Sequence, residues 1–114
     1  MCELFIRVRF RPSGQLGPGK IALLEKLRDT GSIRGAAAAM KMSYRRAWLL
    51  LGEMEAMFGT PVVARATGGL KGGGATLTPL GRTLIRRYRN IEVQAMKAAA
   101  VEIAALGKLT RRRA

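Results

Sequence analysis

The sequence predicts a mainly α-helical domain with a small β-hairpin, an α+β fold. Three observations support this prediction. Apolar residues recur at helical spacing in several stretches, two short β-branched stretches flank a run of glycines, and the N-terminus alternates apolar with basic residues. A chain of 114 residues with 48% hydrophobic residues is long enough for one modest core. We therefore expect one domain.

The first element predicted is a half-buried strand in "ELFIRVRFR". Its apolar residues alternate with arginines, so they share one face: Leu4, Ile6, Val8 and Phe10. The next segment, "PSGQLGPG", is rich in turn residues and predicts a connector. Pro18 then suits the first position of a helix that carries Ile21, Leu24 and Leu27 at helical spacing and stops at Gly31.

Two helices separated by a tight turn follow directly. Ser32 suits the N-cap of a short helix in "IRGAAAAM", and Lys41 and Met42 interrupt the pattern. Ser43 suits the N-cap of a second helix over Tyr44–Phe58. That helix carries an apolar stripe with Trp48 at its margin: Ala47, Leu50, Leu51, Met54 and Phe58. This arrangement is typical of a helix-turn-helix.

The charge of the chain indicates a polyanionic partner. There are 21 Lys and Arg residues against 7 Asp and Glu, which gives a formal net charge of +14. A charge of this sign and size suits nucleic acid or an acidic membrane surface, and charge alone does not distinguish the two.

Two arginines at the start of the second helix favour nucleic acid. Arg45 and Arg46 lie in its first turn, off the apolar stripe. Arginines on a helix surface are usually only solvated. A helix N-terminus, however, disfavours added cations unless an anion binds there. We therefore expect this turn to contact DNA bases or phosphates.

The glycine-rich stretch "RATGGLKGGGATLT" has three competing interpretations: a phosphate cradle, a flexible linker or a hairpin tip. A P-loop needs a lysine after its last glycine, and Ala75 stands there after Gly74. The flanking segments are too short to be separate domains, which argues against a linker. Both flanks, "PVVARA" and "ATLT", suit strands. We interpret the stretch as a wing on the DNA backbone or in the minor groove, with charge from Arg65 and Lys71.

A long helix is predicted over residues 79–106. Thr78 suits its N-cap and Pro79 its first position. At 1.5 Å per residue it is about 40 Å long, more than so small a domain can cover. We expect a second copy of the chain to cover its apolar stripe, giving a homodimer; a membrane-surface helix is the weaker alternative, because the second half is rich in alanine. The predicted dimer interface is Leu80, Leu84, Tyr88, Ile91, Ala95, Ala99, Ile103 and Leu106. Residues 107–114 are expected to form a basic tail after a domain spanning 1–106.

Several function classes are disfavoured by composition. The chain has no histidine, its single cysteine is Cys2, and its seven carboxylates include no evident acid/base pair. No apolar run approaches the roughly 20 residues of a membrane span. We expect a cytoplasmic protein without catalysis, metal, cofactor or membrane partner.

Four segments between Gly31 and Tyr88 carry a family resemblance: "GSIRGAA", "MSYRRAW", "RATGGLKGGGATLT" and "GRTLIRRY". They resemble the N-terminal winged-helix domain of ModE-type molybdate-responsive transcription regulators. The resemblance extends more loosely to LysR-type regulators. It implies a winged helix-turn-helix regulator that is dimeric through its N-terminal arm and long helix. It also aligns Ser43–Arg46 with the start of the recognition helix and Arg65–Gly74 with the wing.

Taken together, these residues predict a sequence-specific DNA-binding transcription regulator; the alternative is a non-specific architectural DNA-binding protein. Double-stranded DNA is the expected partner. The predicted DNA-contacting residues are Ser32, Arg34, Ser43, Tyr44, Arg45, Arg46, Arg65, Thr67, Gly68, Gly69, Lys71, Gly72 and Gly73. ModE-type regulators usually carry further β-rich domains that bind molybdate. Nothing after Leu106 is expected to build one, so we expect no molybdate binding here, and a separate oxyanion-binding protein is a further candidate partner.

Overall fold

The computed structural model describes residues 3–65 and 74–111, and its fold is the α+β architecture predicted. Within these two ranges, four helices carry most of the residues, and two small antiparallel hairpins accompany them. In chain order the elements are β1 (Val8–Phe10), β2 (Gly14–Leu16), α1 (Pro18–Thr30), α2 (Ile33–Ala39), α3 (Tyr44–Phe58), β3 (Val63–Arg65), β4 (Ala75–Leu77) and α4 (Pro79–Leu109).

The N-terminal region differs from the single strand predicted. β1 covers only Val8–Phe10, and it pairs with β2 inside the segment predicted to be a connector, with Val8 opposite Leu16. The reversal uses Gly14 at φ +144°, a backbone conformation that favours glycine. Leu16 is buried in the core, which anchors the hairpin. The turn residues therefore belong to a hairpin, and the rest of the predicted strand is not paired.

The helix-turn-helix elements match their predicted positions. α1 ends at Gly31, which has φ 77° and donates its N–H to the carbonyl of Leu27 at 2.9 Å. The Ser32 hydroxyl accepts from the N–H of Gly35 at 2.8 Å at the start of α2. Between α2 and α3 the chain turns at Lys41, a non-glycine residue with φ 57°.

The hydrophobic core lies between α1, α2, α3 and the first turns of α4. α1 is its centre, because four of its side chains are completely buried. No buried side chain among the described residues is polar or charged apart from the hydroxyl of Tyr88, whose body belongs to the core. The core residues are Leu16, Ile21, Leu23, Leu24, Leu27, Ile33, Ala36, Ala37, Ala47, Leu51, Met54, Val62, Ala75, Leu77, Leu84, Ile85 and Tyr88.

The two strands of the predicted wing pair as expected. β3 and β4 are antiparallel, with Arg65 opposite Ala75. The N–H of Ala75 donates to the carbonyl of Gly31 at 2.8 Å, which ties this hairpin to the end of α1. Residues 66–73, the predicted wing tip, lie outside the described residues.

α4 begins as predicted and continues to Leu109, three residues beyond the predicted end. The Thr78 hydroxyl accepts from the N–H of Gly81 at 3.1 Å. The Tyr88 hydroxyl donates to the carbonyl of Ile6 at 2.5 Å, and burial raises the pKa of Tyr88 above its ordinary value. This bond connects α4 to the N-terminal segment.

Candidate nucleic-acid interface

The first turn of α3 presents polar side chains to solvent. The Ser43 hydroxyl accepts from the N–H of Arg46 at 3.0 Å, so the helix starts at Tyr44 as predicted. Tyr44, Arg45 and Arg46 are exposed, whereas Ala47 is completely buried. The helix therefore packs on the core through one side and offers its tyrosine and two arginines on the other.

Two arginines and two aromatic rings form a continuous column beside this turn. The guanidinium carbon of Arg34, on α2, lies 4.7 Å from the centre of the Tyr44 ring. The Tyr44 and Trp48 rings meet edge to face with centroids 6.1 Å apart. The guanidinium carbon of Arg65, on β3, lies 4.8 Å from the centre of the Trp48 ring. The cation–π column, as we call these four residues, thus links α2, α3 and the wing.

A small cavity of about 120 Å³ opens at one side of the cation–π column. Four predicted DNA-contacting residues from three separate segments meet there, and no acidic residue is among the described residues that line it. Its lining is Ser32, Ile33, Arg34, Tyr44, Arg65, Gly74 and Ala75. The structure therefore brings the start of α2, the start of α3 and the base of the wing to one place.

The ion pairs of the described residues involve other arginines. Arg89 holds Glu25 with two hydrogen bonds, Nε to Oε2 at 2.9 Å and Nη2 to Oε1 at 2.6 Å, and Glu92 with a third at 2.7 Å. The hydrogen bonds with Glu25 and Glu92 raise the pKa of Arg89. The hydrogen bonds from Arg89 lower the pKa of Glu25. Lys20 pairs with Glu53 at 3.0 Å. None of these pairs, nor that of Arg28 with Asp29, includes a predicted DNA-contacting residue.

A second basic surface was not predicted as a site. A depression of about 310 Å³ between the N-terminal hairpin, α1 and α3 is lined by Arg7, Lys20 and Arg46, together with Glu53. The alternation of arginines in the N-terminal strand was visible in the sequence. The proximity of Arg7 to Arg46 was not visible there, because it depends on how the N-terminal hairpin folds against α3.

The predicted wing-tip residues lie in the segment that the structure does not describe. Their role in DNA contact stays a prediction. They are Thr67, Gly68, Gly69, Lys71, Gly72 and Gly73.

The predicted dimer interface on α4 divides into two parts. Leu84 and Tyr88 are buried within the chain's own core at 7% and 2% exposure, so these two are unavailable to a second chain in this conformation. Leu80 also packs against the core. Further along, Ile91 and Leu106 are exposed at 41% and 64%, and Ala95, Ala99 and Ile103 are partly buried. Three exposed apolar residues that the prediction did not include are Val93, Val101 and Leu109.

The described residues lack a metal-binding cluster and a membrane-spanning helix. They contain no group of three or more His, Cys, Asp or Glu side chains placed to hold a metal ion. Within the same ranges, no helix combines the length and the apolar character that crossing a membrane requires.

The sequence matches a known family and several curated proteins. The family described as bacterial regulatory helix-turn-helix protein, lysR family, matches residues 19–82. The molybdenum-pterin-binding protein MopB of Rhodobacter capsulatus is 41% identical over 87 residues, covering 76% of this chain and 32% of its own. The molybdenum transport protein ModE of Azotobacter vinelandii is 37% identical over 83 residues, covering 73% of this chain and 31% of its own. The DNA-binding transcriptional dual regulator ModE of Escherichia coli K12 is 36% identical over 86 residues, covering 75% and 33%.

This chain spans about a third of the length of these curated relatives. The matches confirm the resemblance to ModE-type and LysR-type regulators that the sequence motifs predicted.

Solved structures support the fold. The CbnR_DBD–DNA complex has a TM-score of 0.59 at 20% identity and covers 76% of this chain and 94% of that one. The full-length LysG of Corynebacterium glutamicum has a TM-score of 0.58 at 20% identity and covers 82% and 30%. At this identity the likeness concerns the fold: a winged helix-turn-helix, as predicted.

Proposed function

Since the chain belongs to the lysR family of bacterial regulatory helix-turn-helix proteins, we propose that it is a sequence-specific, DNA-binding transcription regulator of the ModE type. The observation that carries this proposal is the exposed first turn of α3, which presents Tyr44, Arg45 and Arg46, and whose Tyr44 lines one cavity with Arg65 at the base of the wing. In this function the chain acts by binding and performs no catalysis.

α3 is the recognition helix in this proposal. The N-terminal residues of such a helix contact base edges in the major groove. Arg45 and Arg46 supply donors for guanine edges or for phosphates, since arginine binds both in a bidentate manner. The hairpin of β3 and β4 then lies against the adjacent backbone or minor groove.

We propose that the regulator is a homodimer joined through the second half of α4. This part of the helix extends past the core, and the predicted apolar stripe exposes Ile91 and Leu106 there. Two recognition helices related by a twofold axis read a site with inverted-repeat symmetry. A regulator of the genome acts in the bacterial cytoplasm, and a separate oxyanion-binding protein is a candidate second partner.

The proposal is tested by selecting genomic fragments that the purified chain retains. We expect the retained fragments to share an inverted repeat, enriched near genes for molybdate transport. Binding to that repeat should survive an excess of unrelated duplex, because specific sites bind about 10³–10⁷ times more tightly than non-specific ones. Retention of fragments without a shared sequence, with complete loss under competition, would instead indicate an architectural DNA-binding protein.

A further inference from the structure

We propose that Arg34 and Arg65 bind one phosphate of the DNA backbone in the cavity between α2 and the base of the wing. In this arrangement Tyr44 and Trp48 are positioning residues that hold the two guanidinium groups. The inference rests on the proposed function, because DNA is the partner that supplies the phosphate.

The cavity has the size and lining for one phosphate group. Its volume of about 120 Å³ is several times the roughly 10–15 Å³ that a cavity needs to hold one water molecule, so the oxygens of one phosphate fit. Arg34 and Arg65 line it from two different elements, and the Ser32 hydroxyl lines it as well. Because the Ser32 oxygen already accepts from the N–H of Gly35, its own hydrogen is available to donate.

The electrostatics of the cavity favour an anion. Two guanidinium groups share it, and no carboxylate is among the described residues of its lining. The ion pairs in the described parts of the chain include neither Arg34 nor Arg65. Two like charges around one cavity repel each other until an anion enters. A phosphate relieves this repulsion and accepts charge-assisted hydrogen bonds from both arginines.

The aromatic rings prepare both arginines for binding. Each guanidinium carbon lies within 5 Å of a ring centre, 4.7 Å for Arg34 on Tyr44 and 4.8 Å for Arg65 on Trp48. Cation–π attraction holds each guanidinium at its ring, and a guanidinium has five N–H donors, so donors remain for an oxyanion. An arginine held in this way loses less side-chain freedom on binding than one that is free in solution.

The source of the phosphate follows from the position of the cavity. Tyr44 belongs both to the cavity lining and to the exposed first turn of α3. A duplex that receives this turn in its major groove therefore brings a backbone phosphate to the cavity. A free phosphate ion lacks the other contacts of the duplex, so we expect millimolar inorganic phosphate to displace the DNA no more than sulfate does.

The test measures binding of the purified chain to a fluorescent random-sequence duplex across a series of salt concentrations. The variants are Arg34→Ala, Arg65→Ala and their combination, with Lys97→Ala as control, since Lys97 is an exposed cation on the distant half of α4. Circular dichroism checks that each variant folds. We expect each arginine variant to weaken binding by about tenfold, the loss of one charge-assisted hydrogen bond, and Lys97→Ala to change it less than twofold.

The double variant identifies a shared phosphate. Two arginines that bind the same group are coupled, so the double variant should bind more tightly than the product of the two single effects predicts. The slope of log Kd against log salt should fall by about 0.9, the value for one phosphate, rather than by twice that amount. A double variant whose loss of affinity equals the product of the two single losses, and whose slope falls by twice that amount, would contradict a shared phosphate.

The role of Trp48 is tested separately. Trp48→Phe keeps an aromatic face under Arg65, whereas Trp48→Leu removes it while remaining apolar. We expect Trp48→Leu to weaken DNA binding as much as Arg65→Ala does. Combining Trp48→Leu with Arg65→Ala should weaken binding no further. Trp48→Phe should bind DNA as the unaltered chain does. Equal binding by both variants would show that Trp48 does not position Arg65.

The remaining outcomes separate this inference from the proposed function. If the unaltered chain binds duplex DNA but Arg34→Ala and Arg65→Ala behave like Lys97→Ala, the phosphate site is wrong and the proposed function stands. If the unaltered chain binds no duplex, both are wrong. Preferential displacement by inorganic phosphate would assign the cavity to a free ion.

Discussion

Replacing Gly81 with alanine should loosen the contact between α4 and the wing. An ideal Cβ at Gly81 would lie 2.5 Å from the carbonyl oxygen of Val62, and ordinary contact begins at 3.4 Å. The strand end or the helix must therefore move by about 0.9 Å. The obstacle is backbone, and the same oxygen accepts from the N–H of Thr78 at 3.0 Å, so the movement also strains that bond.

The magnitude follows from two opposing effects. Overpacking of this kind costs about 1–3 kcal/mol. Alanine in place of glycine in a helix contributes up to about 1 kcal/mol in the opposite direction. We expect Gly81→Ala to lower the free energy of unfolding by about 1–2 kcal/mol and Tm by about 5–10 °C. DNA affinity should fall as well, because Val62 leads directly into β3, which carries Arg65.

A second helical glycine provides the matched control for this experiment. Gly52 lies within α3, and a Cβ there meets no atom within 4 Å. Gly52→Ala should therefore raise stability by about 0.5–1 kcal/mol. Both variants are compared with the unaltered chain by thermal unfolding followed by circular dichroism. If Gly81→Ala is as stable as Gly52→Ala, the close packing of α4 on the wing base is refuted.

Three further predictions concern the dimer, the α1–α4 contact and the effector. Ile103→Asp should give monomers by light scattering and weaken operator binding. Ala104→Asp should do neither, because Ala104 lies off the predicted stripe of Ile91, Ala95, Ala99 and Ile103. A monomeric unaltered chain at high concentration would contradict the dimer. Because the hydrogen bonds from Arg89 hold the pKa of Glu25 below its ordinary value, the stability from this pair is present above the ordinary pKa of Glu25 and is lost as pH falls through the lowered pKa. Glu25→Gln should therefore cost no more than about 1 kcal/mol at pH 7 for this partly exposed pair and nothing at acidic pH; a difference independent of pH would contradict it. Calorimetry of the 114-residue chain should show no preference for molybdate over sulfate. An arginine-lined surface that is open to water lacks the sheltered, convergent donors that distinguish small anions. Saturable micromolar binding that is selective for molybdate would contradict this expectation.

The helices were predictable because their ends are encoded locally. Ser43 and the glycine after Phe58 bound α3, and Thr78 followed by Pro79 starts α4. These capping signals act over three or four residues, so no tertiary information is needed. β2 was missed for the opposite reason. A strand of three residues is too short to show a period, and its pairing depends on the turn at Gly14.

The site was only partly predictable, because its geometry is tertiary. Arg34, Tyr44 and Arg65 were selected by charge and position, but the sequence does not reveal that they line one cavity. Trp48 was assigned only to the margin of a stripe, and its contact with Arg65 exists because β3 folds against α3. Likewise, Leu84 and Ile103 belong to the same apolar stripe of α4. Only the packed structure shows that Leu84 lies in the core whereas Ile103 lies beyond it.

The measurement that tests the central claim most directly compares the unaltered chain with the Arg45→Ala, Arg46→Ala double variant on a selected genomic site and on unrelated duplex. If α3 reads the major groove, the loss of a base contact costs about 1–3 kcal/mol on the selected site. The ratio of specific to non-specific affinity should then fall at least tenfold, with unchanged circular dichroism. A folded double variant that keeps both its affinity and its specificity would contradict the assignment of α3 as the recognition helix.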